Sequence, residues 1–90
     1  MRRVKEKDVL YVMQLLEEHV PFDSPPRLIV RVNDQGRQCI RCEGTSNRIE
    51  WLIDIYGKHF FYVSIPPRGA VTFDSVRSLI LFLKSIFNQG

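Results

Sequence analysis

The sequence predicts an α+β fold: a four- or five-stranded antiparallel meander sheet with one N-terminal and one C-terminal helix, in the order αββββ(β)α. Three observations predict it. Apolar residues recur at helical spacing near both ends, from Val9 to Val20 and from Val76 to Phe87. The stretch between them alternates with a period of two and is rich in Ile, Val and aromatic residues. Asn33-Asp34-Gln35-Gly36 and Asp54-Ile55-Tyr56-Gly57 interrupt that stretch with the residue types of tight turns.

Val9, Val12, Met13, Leu16 and Val20 make one helical stripe, widened by Leu10 and Leu15, and predict a helix over 8–20. Asp8 is the expected N-cap. Pro21, Pro25 and Pro26 then stop the helix and hold the chain extended. Leu28 to Val32 and Gln38 to Glu43 form the clearest hairpin. A type I turn followed by a left-handed Gly36 fixes its register so that opposed residue numbers sum to 70. Val30 then faces Ile40 and Leu28 faces Cys42, whereas a four-residue loop without the bulge would pair Leu28 with Arg41 and mix the faces.

Arg48 to Asp54 is the next strand, with Ile49, Trp51 and Ile53 on one face. A turn over 54–57 returns the chain from His59 to Ile65, placing Trp51 opposite Phe61 and Leu52 opposite Phe60. Pro66-Pro67-Arg68-Gly69 breaks the pattern, and Ala70 to Phe73 is expected as a short edge strand. Asp74 or Ser75 caps the last helix, whose stripe is Val76, Leu79, Ile80, Leu83, Ile86 and Phe87. Ile29, Leu52 and Phe60 fall on the reverse face of the sheet. That predicts a sheet covered on both sides, the first helix on one face and the last on the other; a partner protein over the reverse face is the alternative.

Ninety residues make one domain, 1–90, with a basic N-terminal arm over 1–7. Six Phe, three Tyr and one Trp within a 44% apolar composition argue for a packed core rather than disorder. No apolar run approaches a membrane span, and MRRVKEKDV has no signal-peptide apolar region, so a cytoplasmic protein with reduced cysteines and no membrane contact is expected.

Catalytic chemistry finds little support. Cys39 and Cys42 have CxxC spacing, but on a strand residues three apart point to opposite faces. They cannot share a metal, and the expectation is one core thiol, Cys42, and one half-exposed thiol, Cys39. His19 suits a helix C-terminus. His59, placed opposite Ile53, has no nucleophile or orienting carboxylate beside it, and Asp54 is accounted for by its turn. The sequence contains no phosphate loop, nucleophile elbow or zinc-protease motif. No cofactor, metal or enzymatic activity is therefore expected.

The basic residues are more informative. The net charge is +3, and Arg outnumbers Lys nine to four. Arg27, Arg31, Arg37 and Arg41 project from the same face of the first hairpin, and a planar guanidinium suits carboxylate or phosphate recognition. These four are the candidate binding residues, with Arg31 at their centre. Only Phe60 and Tyr62 supply aromatic rings on that side, fewer than single-stranded nucleic acid binding employs.

From residue 8 onward the order of elements resembles an SH2 domain. Leu28-Ile29-Val30-Arg31 is similar to that family's Phe-Leu-Val-Arg strand. Phe73-Asp74-Ser75 followed by Leu79-Ile80 is similar to its Phe-x-Ser…Leu-Val final helix. The resemblance implies a phosphopeptide-binding domain in which Arg31 grips a phosphotyrosine phosphate from the face that the first helix covers. The chain departs from the pattern at the phosphate site. It has no opening Trp, no Ser or Thr hydroxyl in the turn after Arg31, no Arg in the first helix, and Trp51-Leu52 where a His is usual.

The reading that best combines these features is a small non-catalytic protein–protein interaction module of the adaptor or inhibitor type. It binds the acidic or anionic surface of a protein partner through a basic sheet face, as a monomer or weak homodimer. The two alternatives are the SH2-like module and a sequence-independent nucleic-acid-binding protein.

Overall fold

The computed structural model describes residues 3–88. Its elements are α1 (Glu6–His19), β1 (Arg27–Val32), β2 (Gln38–Ser46), β3 (Ile49–Ile55), β4 (Phe61–Ser64), β5 (Ala70–Phe73) and α2 (Val76–Phe87). The five strands form one antiparallel sheet in the order β1-β2-β3-β4-β5, which is the expected α+β meander with its fifth strand present.

α1 begins two residues earlier than the apolar stripe indicates. Lys5 occupies the N-cap with no side-chain hydrogen bond, so Asp8 is not the cap but an acidic residue of the first turn. There it favours the positive end of the helix dipole and lies 3.9 Å from Lys58 Nζ. Of the basic arm expected over 1–7, Met1 and Arg2 lie outside the described residues, and Glu6 and Lys7 belong to the helix. The Val4 N–H donates to Gln38 Oε1, tying the arm to the start of β2.

The β1–β2 register is the one the bulged turn dictates: Leu28 pairs with Cys42, Val30 with Ile40 and Arg31 with Cys39. Gly36 adopts φ +78°, the left-handed conformation this turn requires, and its N–H donates to the Asn33 carbonyl. β2 runs on to Ser46 and β3 is displaced by one residue, so Arg48, expected as a strand residue, joins Asn47 in the turn, both at positive φ. Asp23 holds that turn by accepting from both of their N–H groups.

The β3–β4 hairpin departs from expectation. Ile53 pairs with Val63 and Ile55 with Phe61, so the register sum is 116 where the proposed turn implied 112. Phe61 thus faces Ile55 and not Trp51, whose cross-strand partner on β2 is Gly44. Asp54 lies within β3, not in a turn, while His59 and Phe60 belong to the loop before β4. Burial explains the shift. Lengthening β3 to Ile55 leaves that side chain fully buried, and an even shift keeps every core residue on its face.

Both helices lie on one face of the sheet, which corrects the two-sided arrangement. On α1, Met13 Sδ is 3.7 Å from Cys42 Sγ, and on α2 the Phe82 ring packs 5.0 Å from that of Phe73. Cys42 and Phe73 belong to the same face, because Cys42 pairs with Ile53 and Phe73 pairs across Phe61 with Ile55. The Asn88 amide donates to the His19 carbonyl, joining the ends of the two helices. Ser75 caps α2 by accepting from the Ser78 N–H.

The core lies between this helical layer and β2–β5, with Val12, Leu16, Ile53, Phe61, Leu79 and Leu83 almost fully buried. No β1 residue joins it among the described residues. Leu28, Val30 and Val32 point to the helix side as the alternation requires, but two helices do not span five strands, and they remain 51%, 63% and 49% exposed.

Candidate functional site

The uncovered face carries Arg27, Arg31 and Arg41, with Arg37 in the loop just before β2, and the structure gives the four different tasks. Arg41 is committed. Its Nε donates to Asp54 Oδ1 at 2.8 Å and its second terminal nitrogen to Oδ2 at 3.0 Å, a bidentate pair across β2 and β3. Asp54 is only 5% exposed, so the pair closes the middle of the face rather than offering a free cation. The hydrogen bonds from Arg41 to the carboxylate raise the guanidinium pKa further.

Arg37 is stacked. Its guanidinium carbon lies 4.8 Å from the Tyr56 ring centroid and 5.8 Å from that of Phe60, and those two rings touch at 5.4 Å. A cation held over aromatic faces keeps its charge and loses much of its freedom. Arg27 is exposed opposite Glu43 at the far end of the hairpin, where Glu43 and Glu50 line the same hollow. Arg31 is exposed opposite Cys39 and has no carboxylate in ion-pair contact among the described residues. It borders a concavity of about 470 Å³ together with Arg41, Tyr56, Tyr62 and the carboxylates of Asp34 and Asp54.

Tyr56 also lines a second concavity, of about 330 Å³. Arg3, Lys5, Arg37 and Lys58 line it, with His59 beside them, against the single carboxylate of Asp8. Sequence reasoning treated the N-terminal arm and the hairpin arginines as separate groups and assigned no role to Lys58. The hydrogen bond from Val4 to Gln38 and the loop over residues 56–60 bring them together. The basic surface is therefore concentrated at one end of the sheet, where the arm and the two loops meet, rather than spread over its face.

The SH2-like placement of Arg31 beneath the first helix does not occur. α1 lies on the opposite face, and Arg31 is open to solvent.

The cysteines occupy opposite faces, as strand spacing requires. Cys39, however, is not half-exposed. It is 2% exposed, within hydrogen-bonding reach of the Tyr56 hydroxyl and flanked by Asp54, Arg41 and Arg31. Burial first, and the Asp54 carboxylate second, push its thiol above the ordinary range. Burial pushes the Cys42 thiol up to about 12, with Glu43 adding to the effect. A thiol that remains protonated is a poor nucleophile. A soluble thiol reagent at neutral pH is thus expected to modify neither cysteine until the protein is unfolded, and rapid labelling of the native fold would overturn this.

The same burial sets a pH dependence. In the unfolded chain both thiols ionise in the ordinary range, while in the fold they keep their protons to higher pH. The folded state then binds more protons, so stability falls as pH rises from the ordinary thiol range toward about 12. Thermal melts across that interval check the sign.

Among the described residues, no group of three His, Cys, Asp or Glu side chains is placed to hold a metal ion, and no helix is long and apolar enough to cross a membrane. No protein-family model, curated protein or solved structure matches the chain.

Proposed function

We propose that the protein is a small non-catalytic interaction module, of the adaptor or inhibitor type, that binds an acidic surface of a partner protein through the cationic end of its sheet. The observation that carries this reading is the convergence of Arg3, Lys5, Arg37 and Lys58 on one hollow containing a single carboxylate, with Arg31 on the adjoining one. Net attraction for an anion depends on charge left uncompensated after internal pairing. Arg41 is neutralised by Asp54 and Arg27 lies beside Glu43, whereas at this end the carboxylate of Asp8, 3.9 Å from Lys58, offsets one cation of the four. Arg37 contributes a cation held in place over Tyr56 and Phe60, which lowers the ordering cost when a carboxylate docks. Buried, unpaired thiols suit a reducing compartment, and the cytoplasm is the proposed location.

Charge reversal tests the reading. The probe is a glutamate-rich peptide titrated into the full chain and followed by backbone amide shifts. Arg31→Glu and Lys58→Glu should each weaken binding by far more than Arg77→Glu on the solvent side of α2. Arg31 is exposed, so its replacement should leave fold stability within about ±0.5 kcal/mol. Equal losses at all three positions would reduce the effect to long-range attraction and overturn the site. An oligonucleotide competitor supplies the second arm. Displacement of the peptide, with affinity falling by about 0.7–0.9 log units per phosphate neutralised for each log unit of salt, would move the assignment to nucleic acid.

A further inference from the structure

We infer that two copies of the chain pair through β1, antiparallel and centred on Val30, to make one continuous sheet. β1 is a free edge six residues long, whereas the opposite edge strand, β5, has four. Its apolar side chains Leu28, Val30 and Val32 are 51%, 63% and 49% exposed, and none belongs to the buried core. Natural edges are usually short, charged or covered. This one is none of these on its helix-side face.

The direction of the backbone groups follows from the hairpin. The Asn33 N–H donates to the Arg37 carbonyl, so the alternation of an antiparallel ladder turns residues 27, 29 and 31 toward β2. The N–H and C=O groups of Leu28, Val30 and Val32 therefore point to the open edge. Those same three residues carry the exposed apolar side chains.

Two identical strands pair antiparallel about a two-fold axis perpendicular to the sheet, and only even register sums permit this. A sum of 58 sets Arg27 directly opposite Arg31 of the second copy, and a sum of 62 sets Arg31 opposite Arg31. Like charges in that position are destabilising. A sum of 60 avoids both. It opposes Val30 to Val30, Leu28 to Val32 and Arg31 to Ile29, and all three outward-facing residues bond. It also brings Arg27 to Asn33 of the second copy, beside the exposed Asp34. The two Arg31 side chains are left on a diagonal roughly 7–8 Å apart, on the uncovered face. Edge pairing of six residues is a small contact, and interfaces below about 1,200 Å² belong to weak, reversible association.

This pairing is independent of the acidic-partner reading, because its backbone bonds and its apolar contacts through Leu28, Val30 and Val32 require no anion. Sedimentation equilibrium of the full chain, from micromolar to near-millimolar concentration, should show a reversible monomer–dimer transition. Val30→Lys should abolish it while leaving the circular dichroism spectrum and melting temperature unchanged. Register is read by disulfide trapping, since both native thiols are buried. Val30→Cys should cross-link to itself under mild oxidation. Leu28→Cys should not, because its copies stand about four residues apart along the strand, beyond disulfide reach. Mixing Leu28→Cys with Val32→Cys protein should restore the cross-link. A chain that stays monomeric throughout, or a Leu28→Cys variant that cross-links as readily as Val30→Cys, would overturn the inference.

Discussion

Replacing Trp51 with alanine should lower the stability of the fold by about 3–5 kcal/mol, the cost of emptying a large buried aromatic site. Trp51 is 3% exposed, and its Nε1–H donates to Ser46 Oγ, itself fully buried, at 2.8 Å. Its ring packs against Gly44, the cross-strand partner on β2, so closely that a Cβ there would be 2.5 Å from indole Cζ2. The Phe22 ring packs against the indole in a tilted contact, 5.8 Å between centroids. Truncation therefore leaves a void, an unpartnered Ser46 hydroxyl and a glycine facing nothing. Denaturant unfolding with circular dichroism measures the loss. A change below about 1 kcal/mol would mean that the β2–β3 interface repacks or that Trp51 is not in the core. Gly44→Val is the complementary test. It keeps the indole but forces it from its place, and overpacking of this kind typically costs about 1–3 kcal/mol.

Arg41→Ala should be the second most damaging change, and its effect should be structural rather than functional. Removing one partner of a buried ion pair leaves an uncompensated charge, at about 3–5 kcal/mol where both partners are fully buried. The Asp54 side chain is 7% exposed and that of Arg41 21%, so solvent screening places the expected loss toward or below the lower end of that range. Arg41→Lys should recover only part, because an ammonium cannot reproduce the two parallel bonds to Asp54. The double variant Arg41→Met with Asp54→Leu should be closer to wild type than Arg41→Ala, since it removes the stranded carboxylate along with its partner. Should Arg41→Ala prove neutral in stability yet abolish binding of the acidic peptide, Arg41 would return to the site from which its pairing removes it.

Much of the fold is legible in the alternation itself. Period-two runs around Asn33-Asp34-Gln35-Gly36 determine the register of the first hairpin, because only one register keeps the apolar set together and Gly36 accepts the left-handed turn. The second hairpin was harder for a physical reason. Asp54 and Gly57 are both turn formers, but an aspartate beside Arg41 gains more from a bidentate pair within the strand than from capping a turn. Nothing local to residues 54–57 records that Arg41 is its cross-strand neighbour. The same holds for the candidate site. Arg27, Arg31 and Arg41 share a face as strand alternation implies, while Arg37 lies in the loop before β2, and the availability of all four depends on Asp54, Glu43 and the Tyr56–Phe60 platform.

The sequence alone determined the element order, the face of each strand, the α2 cap at Asp74 or Ser75, and the placement of the two thiols on opposite sides. These follow from backbone periodicity and turn chemistry, which act over a few residues. The tertiary structure decided that both helices lie on one face, that β1 lies beyond their reach, and that Lys58 joins Arg3, Lys5 and Arg37. Such choices depend on how far two helices extend over a five-stranded sheet and on which loops meet at its end. Helix width and long-range packing set both, and no window of neighbouring residues encodes them.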